Sequence, residues 1–383
     1  MRIKKLGLML ILSYLITIMF LGFVSAEKVH VIDDKSYSHY FDANGRFLPN
    51  SAIDDGDTLK IKDMDGKNFN VNKKLFITSY NSSTKLTNCH FVFGGGSDGS
   101  SLTGINLTNQ NDGHLVVISA NNILLENNTI FYNGGSMGFF VVEMGSKNSK
   151  FVNNTFKRTG GSTCLHLSGE NIDLTNNTVC SGTMTEQGGN VVHLMGKNFN
   201  VTGNNIIASP SNICWGIKME ANESLIDKND IANAQIGIRL QRENNTISNN
   251  NIHDFDAILA VDYGALGEDG CFAAVGIETI VPPGIIENNT FSVNRNSTNI
   301  FAAGRGVTKY VKYLAFLSVG RNDISDFCSS NKFVMDSTYS WVFDERSYNS
   351  TNLTAFYEKN NNVGSSKVKG PYVKGGGGIY SEG

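Results

Sequence analysis

Asn127-Asn128-Thr129-Ile130, Asn153-Asn154-Thr155-Phe156, Asn176-Asn177-Thr178-Val179: one phrase keeps returning along this chain. It comes back as Asn204-Asn205-Ile206, Asn229-Asp230-Ile231, Asn250-Asn251-Ile252, Asn288-Asn289-Thr290-Phe291 and Asn322-Asp323-Ile324. With Asn128, Asn154, Asn177, Asn204, Asn229, Asn250, Asn289 and Asn322 taken as equivalent, the intervals are 26, 23, 27, 25, 21, 39 and 33 residues. A period in the twenties with a fixed polar mark is the signature of a solenoid, in which each repeat stacks on the last. Residues between the marks alternate apolar and polar, as in Leu165-His166-Leu167, so the stacked units are strands. The reading is an all-β, right-handed parallel β-helix. An asparagine at the same bend of every coil tolerates left-handed backbone angles. Its amide can also bond to the amide of the next coil, about 4.8 Å away, and satisfy polar groups inside the bend.

Outward from the marks, the chain divides into four parts. Residues 1–26 carry Arg2, Lys4 and Lys5, an apolar run from Leu6 to Phe23, and a small-residue site at Val24-Ser25-Ala26. That is the pattern of a secretory signal peptide. Export is therefore expected, with no transmembrane segment after cleavage. Residues 27–105 precede the first clear mark and fit an N-terminal cap with the first strands, among them Thr58–Ile61 and Leu75–Thr78. The regular solenoid is expected over 106–330, and an aromatic C-terminal cap with a Gly-rich tail over 331–383. Two intervals run long, near 254–284 and 295–312. Insertions in solenoids become loops on one face, often the binding face.

A net charge of −3 and a pI near 6.2 argue against nucleic acid as a partner, for which a basic surface is expected. Six cysteines (Cys89, Cys164, Cys180, Cys214, Cys271 and Cys328) are an even set, so disulfides are expected in an exported chain. They form no CxxC pair, which speaks against a structural zinc site.

Counting back eleven residues from the marks gives Glu143, His166, His193, Lys218, Arg239 and Glu278. Apolar neighbours flank most of them, so strand alternation places the ionisable residues together on one outer wall. Glu220 and Gln241 follow Lys218 and Arg239 by two and share that face. Like charges on adjacent strands repel, so Lys218 and Arg239 call for an anion. Either Glu220 and Glu143 neutralise the stripe, or the wall is a groove for an acidic ligand such as a uronic-acid glycan. His166 and His193, with Glu143, form a candidate metal triplet. Asp262, with Glu268 and Asp269, forms an acidic loop that is a candidate calcium ligand.

The stretches Tyr37-Ser38-His39-Tyr40-Phe41-Asp42-Ala43-Asn44-Gly45, Asp55-Gly56-Asp57-Thr58-Leu59 and Lys74-Leu75-Phe76-Ile77-Thr78-Ser79 resemble the adhesin-like surface proteins of methanogenic archaea. That resemblance implies an exported β-helix of the pectin-lyase type, attached to a surface or in contact with an extracellular polysaccharide. Gly216-Ile217-Lys218-Met219-Glu220 followed by Gly237-Ile238-Arg239-Leu240 is similar to the catalytic pair of the chondroitinase B and alginate lyase family. It implies β-elimination, with Lys218 removing the C5 proton and Arg239 protonating the leaving oxygen. It also implies a calcium ion held by Asn and Glu side chains just before the lysine. Here Ser211, Asn212 and Ile213 stand in that stretch, with Glu186 and Asn190 further upstream. Glycosylation sequons outside the marks include Asn81, Asn296, Asn349 and Asn352, in the caps and loops.

Overall fold

The computed structural model describes residues 27–360 except 135–137, 161–162, 182–188, 209–213, 257–272, 294–299, 302–307, 310–311, 336–339 and 344. The chain is a right-handed parallel β-helix of about 10 turns. Each coil contributes strands to three faces, as in Val142–Lys147, Lys150–Val152 and Thr155–Arg158. Strands pair in parallel with the equivalents above and below, and the register is unbroken by slips: Val142 faces Leu165, which faces Val192, which faces Ile217. Two long strands, Leu165–Thr175 and Gly189–Thr202, run continuously through the first and second faces and join them into one 21-stranded sheet. The third face is an 11-stranded sheet.

Alternation decides what fills the interior. Leu165, Leu167, Val192, Leu194, Ile217, Met219, Ile238 and Leu240 point inward and are fully buried. Identical positions stack on one another, so rings meet rings: Phe69 lies on Phe91 with centroids 4.8 Å apart, and Phe291 on Phe333 at 5.6 Å. Burying each such side chain contributes roughly 1.5–3 kcal/mol.

At the corner between the second and third faces, the two asparagines of each mark do different jobs. The first, as in Asn127, Asn153, Asn176, Asn249 and Asn288, adopts a left-handed backbone with φ of 55–56°. The second points inward and builds a ladder. Asn154 Nδ2 donates to Asn177 Oδ1 at 2.9 Å, and the backbone N–H of Asn154 donates to the same oxygen at 2.9 Å. Asn154 Nδ2 also donates to the carbonyl of Leu125 at 2.9 Å, which closes the bend of the preceding coil. The series runs Asn128, Asn154, Asn177, Asn204, Asn229, Asn250, Asn289, Asn331, Asn360. Asn322 is not in it. The rung after Asn289 is Asn331, because the last long excursion adds a 3₁₀ turn at Ile324–Asp326 before the chain returns to the corner. A shorter inward series closes the other bend, where Ile123 N–H donates to Ser149 Oγ and Phe199 N–H to Ser224 Oγ.

Parallel pairing reaches further in both directions than the asparagine marks do. Val29–Ile32 already pairs with Thr58–Ile61, and Ser340–Phe343 still pairs with Lys312–Ser318. Helix α1 (Asp34–Tyr40) covers the N-terminal end, with Tyr37 and Phe41 packed on Phe69. Helices α2 (Glu345–Ser350) and α3 (Leu353–Lys359) cover the other end, where Phe356 meets Phe343 at 4.7 Å. No helix among the described residues is long and apolar enough to cross a membrane.

Cys89, Cys164, Cys180 and Cys328 are free thiols, so the expected disulfides do not form among them. Stacking puts each thiol against strand neighbours of other types, as where Lys157, Cys180 and Ile207 follow one another in register. Burial raises all four above the ordinary thiol range. Cys271 lies outside the described residues, as do Asp262, Glu268, Asp269, Asn296 and the signal segment.

Candidate functional site

The first face carries the residues of interest. Strand pairing puts Val117, Glu143, His166, His193, Lys218, Arg239, Glu278 and Leu317 in one column, each opposite the next. Their inward neighbours anchor the strands, and their own side chains project from the outer wall. Two residues on, Gly145, Ser168, Met195 and Glu220 form a second outward column, and Gln241 continues it. A third column, fourteen residues before each ladder asparagine, contains His114, Phe140, Asn190, Trp215 and Ile236. It points outward because two consecutive residues, such as Gly216 and Ile217, both face the interior. A Cβ on Gly216 would lie 2.8 Å from Ile231 Cγ2 and 2.6 Å from the Gly237 carbonyl, so the close stacking at this bulge needs glycine.

Electrostatics along the column are those of paired charges. Lys218 Nζ lies 2.6 Å from Glu220 Oε1, and His193 Nε2 lies 3.3 Å from Glu220 Oε2, out of line for a hydrogen bond. Arg239 Nε lies 3.1 Å from Glu278 Oε2. Glu278 is fully buried, so the expectation that it contacts ligand is corrected. It is the counterion of Arg239 and lies opposite Leu317 of the next coil. Trp215 lies under both cations, 4.6 Å from the Arg239 guanidinium carbon and 5.6 Å from Lys218 Nζ.

Upstream, Glu143 Oε2 lies 3.0 Å from His114 Nε2. The tautomer of His114 is fixed, because its Nδ1 accepts the N–H of Phe140 at 3.1 Å. Phe140 in turn stacks on His166, and His166 lies 5.0 Å from His193, centroid to centroid. Burial lowers the pKa of His166 and His193, and Lys218 adds to the effect at His193. Burial also pulls Glu220 up, but Lys218 and His193 outweigh it, so its pKa is lowered.

Several polar atoms of this wall are buried without a hydrogen-bond partner: His166 Nδ1, His193 Nε2, Asn190 Oδ1, Arg239 Nε and Gln241 Oε1. Orphaned polar atoms of this kind cost about 1–3 kcal/mol each, and these cluster on adjacent coils. His114, Phe140 and Trp215 escaped the sequence reading, although counting fourteen residues back from the marks finds them; Asn190 entered it only as a residue upstream of the lysine.

The metal expectations fare differently. Among the described residues no group of three His, Cys, Asp or Glu side chains is placed to hold a metal, so Glu143, His166 and His193 do not form the triplet. Calcium takes six to eight oxygen ligands. Near Lys218 only Asn190 Oδ1 is an unengaged oxygen of the expected set, since Glu220 is held by Lys218. Among the described residues no oxygen set fits the ion. Glu186 and Ser211–Ile213 lie outside the described residues.

Asn81, Asn349 and Asn352 are exposed. Asn81 Oδ1 accepts from the N–H of Ser83 at 3.0 Å, on the edge of a cleft of about 440 Å³ lined also by Asp33, Lys62 and Tyr80. Asn352 caps α3 by accepting from the N–H of Ala355.

No known protein family matches the sequence, and no curated protein does either. Among solved structures, an alginate lyase, AlyF-OU02 in complex with G6, is similar at 14% identity and a TM-score of 0.53, over 83% of this chain and 72% of that one. A PL6 alginate lyase in complex with a trisaccharide is similar at 12% identity and a TM-score of 0.48, over 83% and 84%. At such identities the likeness shows the fold alone, a parallel β-helix.

Proposed function

We propose that this is an exported, adhesin-like β-helix that binds extracellular glycans along the outer wall of its first face. The cluster of unpartnered buried polar atoms at His166, Asn190 and Gln241, on the wall that carries Trp215, carries this reading. Sugars offer hydroxyls that both donate and accept, and apolar ring faces that pack on indole. That a lyase of similar fold was solved with G6 supports a glycan as the partner. Glycan-array and titration measurements test it. Trp215→Ala should weaken binding about tenfold, a loss of order 1.4 kcal/mol. Retention of full affinity by that variant, or no glycan binding by the parent chain, would refute the assignment.

A second reading, uronate lyase, is favoured by one observation: Lys218 and Arg239 face each other on adjacent coils. In that chemistry Lys218 takes the C5 proton and Arg239 protonates the leaving oxygen. Both are held in ion pairs, and β-elimination would require these to open. Ultraviolet absorbance of unsaturated product, followed with several polyuronates with and without calcium, decides it. Absence of signal removes this reading, and activity that survives Lys218→Ala removes Lys218 as the base.

A further inference from the structure

We infer that the glycan seated on this wall is an uncharged, hydroxyl-rich segment and not a polyuronate. The inference rests on the glycan-binding reading above and names the ligand's chemical class.

The first argument is satisfiability. Three unpartnered atoms lie within three coil steps, about 14 Å along the solenoid axis: His166 Nδ1, Asn190 Oδ1 and Gln241 Oε1. Asn190 is 6% exposed, so its amide oxygen has little water to turn to. Amide oxygens only accept hydrogen bonds, and so do carboxylates. The carboxylate of a uronate cannot serve Asn190 or Gln241, and only the hydroxyls of a sugar can, so discrimination against uronates rests on the charge of the wall. A hydroxyl donates and accepts, so it can satisfy both amides and the His166 imidazole in either tautomer. Burial keeps the His166 and His193 imidazoles toward their neutral form, which suits a neutral partner.

Charge makes the second argument. Every cation of the three columns, and of the neighbouring outward column, already faces a carboxylate. Lys218 is 2.6 Å from Glu220 and Arg239 is 3.1 Å from Glu278. Lys147 and Lys197 both reach Glu170 at 3.0 Å. Over the three central columns, Lys218 and Arg239 stand against Glu143, Glu220 and Glu278. Among the described residues of these columns an arriving carboxylate finds no cation to itself, and displacing Glu220 or Glu278 would strand a charge on a partly desolvated wall. The uronate expected from the lysine–arginine pair alone is thus disfavoured by the carboxylates the fold brings alongside.

The test is titration calorimetry of the mature chain against neutral polymers (a β-glucan, a mannan, dextran) and against polygalacturonate and alginate, at low and high salt. A neutral polymer is expected to bind at least about tenfold more tightly than either uronate, with affinity insensitive to salt. Gln241→Leu and His166→Phe should each weaken that binding by about tenfold or less, as loss of one hydrogen bond does. Their thermal midpoints should be unchanged or raised, because each removes an orphaned buried atom; a purely structural role would lower them. Tighter, salt-sensitive binding of a uronate, or its depolymerisation, overturns the inference and leaves glycan binding intact. If no polymer of either class binds, the glycan reading fails and this inference with it.

Discussion

Adjacent asparagines in one mark are asked to do unlike things, and substitution should separate them. Asn154 Oδ1 accepts from both the N–H and the Nδ2 of Asn128, while its own Nδ2 serves the Leu125 carbonyl. Asn154→Ala removes these at once and orphans buried groups, so we expect a loss of roughly 3 kcal/mol in urea unfolding. Asn153 supplies only a left-handed backbone, φ 55°, which glycine adopts freely. Asn153→Gly should change stability by less than about 1 kcal/mol. Histidines divide in a similar way. Burial lowers the pKa of His114, His166 and His193, so the unfolded chain takes up protons first as pH falls. Their contribution to stability is present above the ordinary imidazole value of about 6.5 and is lost on acidification below it. At His253 burial also pulls downward, but Asp254 at 2.8 Å and Asp230 at 3.2 Å prevail and raise its pKa. Its contribution is full below about 6.5 and is lost as pH rises through the folded value. Unfolding midpoints across pH 5 to 8 should therefore fall less steeply toward acid in His193→Asn, and His253→Asn should lose more at the acid end than at the alkaline end.

The strands of the first face depend on a glycine bulge. A Cβ at Gly237 would lie 2.6 Å from Ile252 Cγ2 and 2.7 Å from the Gly276 carbonyl, neither of which is a loose side-chain end. Gly237→Ala should cost roughly 2 kcal/mol by overpacking. It should also disturb glycan binding, because the bulge is what turns Trp215 and Ile236 outward. Calorimetric melting with parallel titration checks both. This element explains how much of the site could be read beforehand. The ionisable column was legible, because strand alternation and the asparagine marks together fix register without coordinates. Trp215 was not, because simple alternation from Lys218 sends a residue three places back to the inside, and only the bulge reverses that. Glu278 was legible as a column member but not as a buried one, since its burial arises where Leu317 of the next coil stacks opposite it.

For the molecule as a whole, the open ends of the stack are where it is vulnerable. Phe356 on α3 packs against Phe316, Phe333 and Phe343, and each of these would otherwise meet solvent at the last coil. Phe356→Ala should cost about 3–5 kcal/mol and lower the melting temperature. The eight marks made the solenoid readable, yet misplaced its last rung, because Asn322-Asp323-Ile324 imitates the phrase within an excursion while Asn331 occupies the corner. The asparagine ladder has one more consequence. Every carboxamide in it faces the same way, oxygen toward the N-terminal coils and NH₂ toward the C-terminal ones, so nine dipoles add along the axis and polarise one another. At the electropositive end, Asn360 Nδ2 donates at 2.9 Å to the Phe356 carbonyl in the last turn of α3, where a helix is electronegative. At the electronegative end, Asn128 Oδ1 receives the N–H of Ile105. The cylinder is thus an electrically directed object, terminated at each pole by a group of opposite sign.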